Sequence, residues 1–485
     1  MSWLEVPDGW IVQAYRYALD PSSRQRRALL GHVSAARFCF NDMLALVKAV
    51  LDQRAAERSY GVADADLTPP LGWSLPALRR AWNARKHEVA PWWSEYSKEA
   101  YNTGLDALSR ALDAWSASRA GERAGGVVGF PRFKARARSR ASVRFTTGTI
   151  RVEPDRHHVT LPRLGRIRTH ESTRKLARRI EAGTARILSA TVTRDSAGRW
   201  YCSLQTLVRR QVTPAPNAGT APHRVVGVDV GVSDLLVAAT PDGTETMRVP
   251  APKSLAEAQA RLRVLGRRSA RQHGPYGPAT RRKQRPSQRW RRTQSRIGKA
   301  HARAVNLRRD VLHKATTALA RHHEVIVVET LNAAGMRRNG GVRTRGLNRA
   351  LADAALAEIR RMLGYKMRWY GSTLVEADRW YPSSKTCSAC GGRKPSLALA
   401  ERTYVCEHCG MVLDRDRNAA INLARLHETR PGERGPADSG SVAGRGATQK
   451  TSPAQAGKAG GREASTPHSH TVDQTGTAAP QGAAV

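Results

Sequence analysis

The sequence predicts a multidomain α+β protein, and three features predict it. A helical pattern of apolar residues extends to about Ala120, and short alternating segments broken by Pro and Gly follow between Gly125 and Val212. From Arg224 onward, short apolar runs alternate with helical patterns, as in an α/β domain. At 485 residues the chain exceeds the usual size of one domain, so we expect several fold units.

The N-terminal part is predicted to contain one strand and long helices, followed by a β-rich region. The stretch "IVQAYRYALD" alternates like a strand, and "DPSSRQRRALL" supplies turn and N-cap residues before a helix. Apolar residues then recur at helical spacing, at Leu29, Val33, Phe40, Leu44, Val47 and Leu51. The segment between Gly125 and Val212 predicts a small β-barrel or sandwich.

The C-terminal part is predicted to contain a sheet with parallel strands. The stretch "RVVGVDVGVSDLLVAATPDGTETMRV" predicts three short strands joined by turns, and "EVIVVETLN" predicts a strand buried on both faces. The stretch "LNRALADAALAEIRRMLGYKMRWYG" predicts one helix, and "STLVEADRW" predicts another strand. Residues 213–223 read as a linker. After Arg430 the sequence has no Leu, Ile, Phe, Trp or Tyr, which predicts a disordered tail.

The charge of the chain indicates a polyanionic partner. It has 81 Lys and Arg residues against 40 Asp and Glu residues, a formal net charge of +41. A GC-rich genome would explain Arg in place of Lys but not the shortage of acids. Between Arg261 and Arg309 there are 17 Arg or Lys and no Asp or Glu; this run is either a solvated helix face or, as we favour, a surface facing nucleic acid.

The sequence lacks the features of a membrane or secreted protein. It has no run of about 18 apolar residues, and "MSWLEVPDGW" lacks the charged and apolar regions of a signal peptide. We therefore expect a cytoplasmic, nucleoid-associated protein. Of the six cysteines, Cys39 and Cys202 stand alone and are expected to be small buried side chains.

The other four cysteines have the spacing of a metal site: Cys387, Cys390, Cys406 and Cys409. Two Cys-x2-Cys pairs provide four thiolates for one tetrahedral Zn²⁺. A glycine that suits a tight turn follows each pair, at Gly391 and Gly410. Two disulfides are the alternative, which a cytosolic setting disfavours. Four cysteine ligands leave no open position, so we expect structural zinc.

Three acidic residues stand where a catalytic site can form. Asp229 and Glu329 end apolar strands, and Asp416 precedes a helical run. Capping or a salt bridge explains each carboxylate better when it is taken alone, but together the three would form one acidic pocket in a basic protein, and this favours a nuclease site. Such a pocket suits two Mg²⁺ ions and phosphodiester hydrolysis.

Four motifs in order resemble the RuvC-type nuclease core of the TnpB (OrfB) proteins of insertion sequences: "GVDVGVSDL", "VIVVETLNAAGM", "DRWYPSSKTCSACG" and "CGMVLDRDRNAAINLA". The resemblance covers roughly residues 10–428, and this family is similar to compact type V CRISPR effectors. It implies an RNA-guided, Mg²⁺-dependent DNA endonuclease with Asp229, Glu329 and Asp416 as the catalytic, magnesium-binding acids. It also implies that the four cysteines bind zinc and that Asp414, two residues before Asp416, is a turn or capping residue.

The resemblance implies an RNase H-like (RuvC-type) nuclease domain with an inserted zinc ribbon, and a β-barrel wedge domain with an inserted helical recognition lobe. The implied segments are, in chain order, 1–30 (wedge), 31–124 (recognition lobe), 125–215 (wedge), 222–385 (nuclease), 386–411 (zinc-binding insertion), 412–429 (nuclease) and 430–485 (disordered tail). The tail and the interruption "GPYGPATRRKQRPSQ" depart from the family pattern.

The implied partners are a guide RNA from the end of the element itself and double-stranded target DNA, with no membrane. We expect a monomer with its RNA. Three other interpretations stay open at this point: a compact CRISPR effector, a transposase that performs strand transfer, and a guided DNA-binding regulator that does not cleave.

Overall fold

The structure is a computed structural model that describes residues 6–123, 125–136, 138–210, 224–277, 282–332, 345–398 and 400–428. The chain divides into two compact units. The first comprises Met1–Thr213 and Glu257–Asn306, and the second comprises Pro214–Ala256 and Leu307–Val485. The predicted linker 213–223 and the predicted tail 430–485 lie outside the described residues. No helix in the described ranges is long and apolar enough to cross a membrane.

The first unit contains one seven-stranded antiparallel sheet with the order β2-β6-β7-β1-β5-β4-β3. Its strands are β1 Trp10–Asp20, β2 Ser142–Phe145, β3 Arg151–Val152, β4 His158–Leu161, β5 Gly165–Thr169, β6 Ala185–Arg194 and β7 Trp200–Arg209. Alternate residues of β7 are buried, as expected when one face packs on the core. No described pairing joins the end strands β2 and β3, so closure into a barrel stays a prediction.

Helices α1 Ser23–Ser59, α3 Lys98–Arg119 and α4 Arg174–Glu181 contact this sheet, and α2 Leu75–Val89 packs on α1 and α3. α1 begins at a capping box, in which Ser22 and Gln25 each accept a hydrogen bond from the other's backbone N–H. The predicted strand and long helix at the N-terminus are therefore confirmed. Cys39 and Cys202 are both buried among apolar side chains, also as predicted.

The basic run between Arg261 and Arg309 falls on two helices, α5 Ser254–Ala270 and α6 Gln288–His322. The Gly- and Pro-rich interruption separates them, and an isolated bridge there pairs Tyr276 with Lys283. The residues of the predicted nuclease segment 222–385 are thus divided between the two units.

The second unit contains a five-stranded mixed sheet with the order β10-β9-β8-β11-β12. Its strands are β8 Val225–Asp229, β9 Asp234–Ala239, β10 Glu245–Pro250, β11 Val325–Glu329 and β12 Thr373–Ala377. β8, β9 and β10 form antiparallel pairs, whereas β11 pairs in parallel with both β8 and β12. The three strands predicted from "RVVGVDVGVSDLLVAATPDGTETMRV" and the parallel strand are confirmed.

The remaining elements of this unit are α7 Arg345–Ala354, α8 Leu356–Tyr370, α9 Arg415–Glu428 and the hairpin strands β13 Thr403–Val405 and β14 Val412–Asp414. The prediction of one helix over "LNRALADAALAEIRRMLGYKMRWYG" was wrong, because Ala355 adopts a left-handed conformation (φ +51°) and separates α7 from α8. Alanine favours helix strongly, and nothing in the local sequence explains the break.

The five-stranded sheet is covered on both faces. Val226 and Val228 on one face belong to a core that includes side chains of α6 and α8. On the other face, α9 approaches β8 very closely at Gly227: a Cβ there would lie 2.0 Å from the Ala420 carbonyl oxygen. Only glycine permits this approach, which sets the position of α9 relative to the sheet.

Candidate functional site

The three candidate acids come from neighbouring elements of the second unit. β8 and β11 are parallel with Val228 opposite Val328, so Asp229 and Glu329 follow at the same carboxyl edge of the sheet. Asp416 lies in the first turn of α9, which packs on β8. The fold thus brings together residues that are far apart in the sequence.

The electrostatics of the three carboxyl groups show that they interact. Burial raises the pKa of Asp229 well above its ordinary value, and the negative charges of Glu329 and Asp416 raise it further. Burial also raises the pKa values of Glu329 and Asp416. Nearby positive charge, including that of Arg415, compensates only in part. A cation among these groups would relieve the repulsion.

Two further side chains contact the acids. The Ser383 hydroxyl donates a hydrogen bond to Glu329 Oε1, which opposes the rise in the pKa of that carboxyl group. Arg402 Nη1 lies 3.8 Å from Asp416 Oδ2, too far for a hydrogen bond. Ser383 therefore orients Glu329, and the positive charge of Arg402 offsets only part of the rise in the pKa of Asp416.

Asp414 and Asp416 differ in their contacts. Asp414 Oδ1 accepts a hydrogen bond of 2.9 Å from the Arg417 backbone N–H, three residues on, which makes Asp414 the N-cap of α9. It also accepts a hydrogen bond of 3.0 Å from Arg248 Nη2. The prediction that Asp414 is a capping residue is confirmed.

The cysteine cluster has the geometry of a single metal site. The Sγ atoms of Cys387 and Cys409 are 3.7 Å apart, and those of Cys390 and Cys406 are 3.6 Å apart. A tetrahedral ion with metal–sulfur bonds of about 2.3 Å requires sulfur atoms about 3.8 Å apart, whereas a disulfide requires about 2 Å. All four thiols therefore fit around one ion.

Tight turns hold the cysteines in this arrangement. The N–H of Gly391 donates to the Cys387 carbonyl, and that of Gly410 donates to the Cys406 carbonyl. Both glycines have left-handed backbones, with φ of +77° and +72°. The knuckle turns predicted from sequence are confirmed.

The cysteine cluster is compact. Its four ligand atoms all lie within 4.8 Å of one another.

Two buried asparagines that the sequence interpretation missed connect these sites. Asn418 Oδ1 accepts from the Ser388 N–H at 2.9 Å, and Asn418 Nδ2 donates to the Thr386 carbonyl at 2.7 Å. Asn422 Nδ2 donates to the carbonyls of Ser383 and Thr386, at 2.8 and 2.7 Å. The available signal was two amides one helical turn apart within "NAAINLA", an otherwise apolar run.

Three family models match the chain. The model described as "Probable transposase" matches residues 205–340, "Cas12f1-like, TNB domain" matches 357–423, and "Helix-turn-helix domain" matches 11–55. In this structure residues 11–55 form most of β1 and part of the continuous helix α1, not two helices joined by a turn.

Curated relatives match most of the chain. A Mycobacterium tuberculosis protein is 43% identical over 472 residues, 96% of each chain. A Streptomyces pristinaespiralis protein is 32% identical, with 85% of this chain and 89% of the relative covered. InsQ of Escherichia coli is 28% identical, with 85% and 91% covered. The names of all three contain the words "Putative RNA-guided DNA endonuclease".

A solved structure, the cryo-EM structure of the Cas12f1–sgRNA–target DNA complex, aligns with 86% of this chain and 100% of that chain at 14% identity and a TM-score of 0.30. Two backbones with this score superpose too poorly to identify a fold. The sequence relationship is decisive: with 43% identity across 96% of both chains, the protein belongs to the TnpB (OrfB) family.

Proposed function

We propose that this protein is an RNA-guided DNA endonuclease encoded by a transposable element, with Asp229, Glu329 and Asp416 as its catalytic residues. The observation that carries the proposal is the convergence of these three carboxyl groups at one edge of a mixed sheet, where burial raises all three pKa values and the charges of Glu329 and Asp416 raise that of Asp229 further. The sheet topology supports an RNase H-like fold for this unit. The names of the full-length relatives support the guided activity.

The carboxylate site suits magnesium. Carboxylate oxygens are the ligands that Mg²⁺ prefers, and three carboxyl groups that share one site are the kind of ligand set that holds two ions about 4 Å apart. Magnesium bound there would activate water and stabilise the leaving oxygen of a phosphodiester. The protein supplies the orientation: Ser383 fixes the Glu329 carboxyl group, and the Asp414 cap fixes the first turn of α9 that carries Asp416.

The cysteine cluster suits structural zinc. Four thiolates at tetrahedral spacing fill the coordination shell, so no position is left for water or substrate. Asn418 and Asn422 attach the start of this segment to α9, so zinc binding would also stabilise the helix that carries Asp416.

The partners we propose are a guide RNA and double-stranded target DNA, bound by one copy of the protein. The net charge of +41 supports nucleic-acid binding, which should weaken steeply as salt rises. In such a system base pairing with the guide reads most of the target sequence, and the protein reads a short adjacent duplex motif.

One experiment tests this proposal. The protein is purified from cells that carry its whole locus, the copurifying RNA is sequenced, and the complex is incubated with matching and non-matching DNA, with and without Mg²⁺. We expect cleavage of matching DNA that requires Mg²⁺. Joined DNA products formed without RNA would instead show a strand-transferring transposase, and tight guided binding without cleavage would show a regulator.

A further inference from the structure

Trp380 is unusually exposed for a large aromatic residue beside a candidate active site. Its exposed fraction is 77%, although most tryptophan surface is buried in folded proteins. It follows β12, which pairs in parallel with β11 so that Ala377 lies opposite Glu329. The chain that carries Trp380 therefore leaves the sheet at the edge where the Glu329 side chain is located.

The turn that presents Trp380 is anchored on both sides. The Trp380 N–H donates to Asp378 Oδ1 at 2.8 Å, and the Tyr381 N–H donates to the Asp378 carbonyl at 3.1 Å. Tyr381 is half-buried, and its hydroxyl donates to the Asn422 carbonyl at 3.1 Å. The exposure of Trp380 is thus set by an ordered turn.

Few residues separate Trp380 from a side chain that contacts the acids. Ser383, which donates to Glu329, is three residues further along the chain, and three residues span at most roughly 11 Å. A DNA strand lying across the carboxylates would therefore pass within reach of the indole ring.

The indole ring also has a cation beside it. The Arg379 guanidinium carbon lies 4.8 Å from the centroid of a Trp380 ring, a cation–π contact. The large exposed fraction leaves much of the indole surface open to solvent. An aromatic ring with an adjacent arginine is the combination that binds single-stranded nucleic acid, by stacking on a base and attracting its phosphate.

We propose that Trp380, supported by Arg379, is a stacking platform for an unpaired base of the DNA strand that enters the carboxylate site. This inference rests on the proposed function. Bases within a duplex are already stacked on each other, so the platform selects strand segments that guide pairing has separated. Stacking is sequence-tolerant, as an enzyme that takes its specificity from a guide requires.

The test uses the full-length protein with its copurifying RNA and matching duplex DNA. We expect Trp380→Ala to slow single-turnover cleavage about tenfold and Trp380→Phe to restore most of the rate, with guided binding unchanged in both. The matched control is Tyr60→Ala, because Tyr60 is 87% exposed but lies in the first unit, at the end of α1; it should cleave like the wild type. Equal melting temperatures and zinc content verify the fold of each variant.

A cross-linking arm detects the contact directly. Target DNA carrying 5-iodouracil near the cleavage site is irradiated in the complex, and we expect mass spectrometry to map a cross-link to Trp380. If the wild type cleaves guided DNA, Trp380→Ala cleaves equally fast and no cross-link maps to Trp380, the stacking proposal is wrong while the proposed function stands. This result is also the one expected if Trp380 binds another protein and not DNA. If the wild type does not cleave, the proposed function fails, and the cross-link alone decides whether Trp380 binds a base.

Discussion

The carboxylate site and the cysteine cluster lie in the same unit but are built in opposite ways. The four cysteines come from one short segment, and local turns bring their sulfur atoms to tetrahedral spacing. The three acids come from two strands and a helix spread from Asp229 to Asp416, burial raises all three pKa values, and the other two acids raise that of Asp229 further.

The two sites therefore differ in what they contribute: the cysteine cluster contributes to stability, and the carboxylate site is suited to activity. Metal binding at the cysteines would add to the folding free energy of the unit. The carboxyl groups cost folding free energy whenever they are ionised without a cation, which is the trade-off expected of a catalytic site. Removing a ligand should therefore have opposite effects on stability at the two sites.

The largest expected effect is on cleavage in Asp229→Asn. Loss of one ligand should reduce the single-turnover rate about a thousandfold or more, since each tenfold corresponds to about 1.4 kcal/mol of barrier. The folded-state pKa of Asp229 is raised, so ionisation costs stability as pH rises above the unfolded-state value, and Asn removes that cost. Thermal melting without Mg²⁺ at pH 7 should show equal or higher stability.

The matched controls for this variant are Asp416→Asn and Asp414→Asn. The first should be as inactive as Asp229→Asn, whereas the second should remain active because asparagine also caps helices. An inactive Asp414 variant beside an active Asp416 variant would reverse the assignment of these two residues.

The second largest effect is expected on the stability of the Cys387→Ser variant. Apparent zinc binding free energies of about 10–16 kcal/mol in small zinc domains indicate how much folding energy depends on a complete ligand set. We expect loss of bound zinc by metal analysis and faster proteolysis of the second unit. Cys202→Ala, a buried cysteine of the first unit, should retain the metal; unchanged zinc in Cys387→Ser would contradict the four-ligand site.

Gly227→Ala should affect stability and activity together, because it acts where α9 contacts β8. The added Cβ would lie 2.0 Å from one backbone atom of α9 and 2.4 Å from another, so the helix must move. We expect a loss of about 1–3 kcal/mol or more in the free energy of unfolding, measured with denaturant, together with loss of cleavage. Gly364→Ala is the control: nothing lies within 4 Å of its added Cβ in α8, and it should stabilise slightly.

The smallest effect is expected for Ser383→Ala. The Ser383 hydroxyl lowers the pKa of Glu329, so its loss should raise that pKa and let protons compete better with Mg²⁺. We expect a rate reduction of about tenfold, a higher Mg²⁺ requirement, and an acid limb of the pH–rate profile shifted to higher pH. Ser383→Thr retains the hydroxyl and should behave like the wild type; identical pH profiles for the Ala and Thr variants would rule out this orienting role.

The sequence predicted features encoded by neighbouring residues. The apolar run ending at Glu329 predicted a parallel strand, the cysteine spacing predicted a cluster, and Asp414 was recognised as a cap. It did not predict the break at Ala355 or the contacts of Asn422 and Ser383, because these depend on segments brought together only by the fold. The roles of Asp229, Glu329 and Asp416 stay predictions that the variants above will test.

The position of α9 has a consequence for biosynthesis. Most of the second unit is translated between Asp229 and Asp416. Helix α9 can pack on β8 at Gly227 only after the helix itself has been translated. Because the ribosome adds about 5–20 residues per second, the nascent chain exists for many seconds with two of the three acids in place. On the proposed catalytic role of Asp416, a polypeptide that stalls before residue 416 would be unable to cut the chromosome from which its message was transcribed.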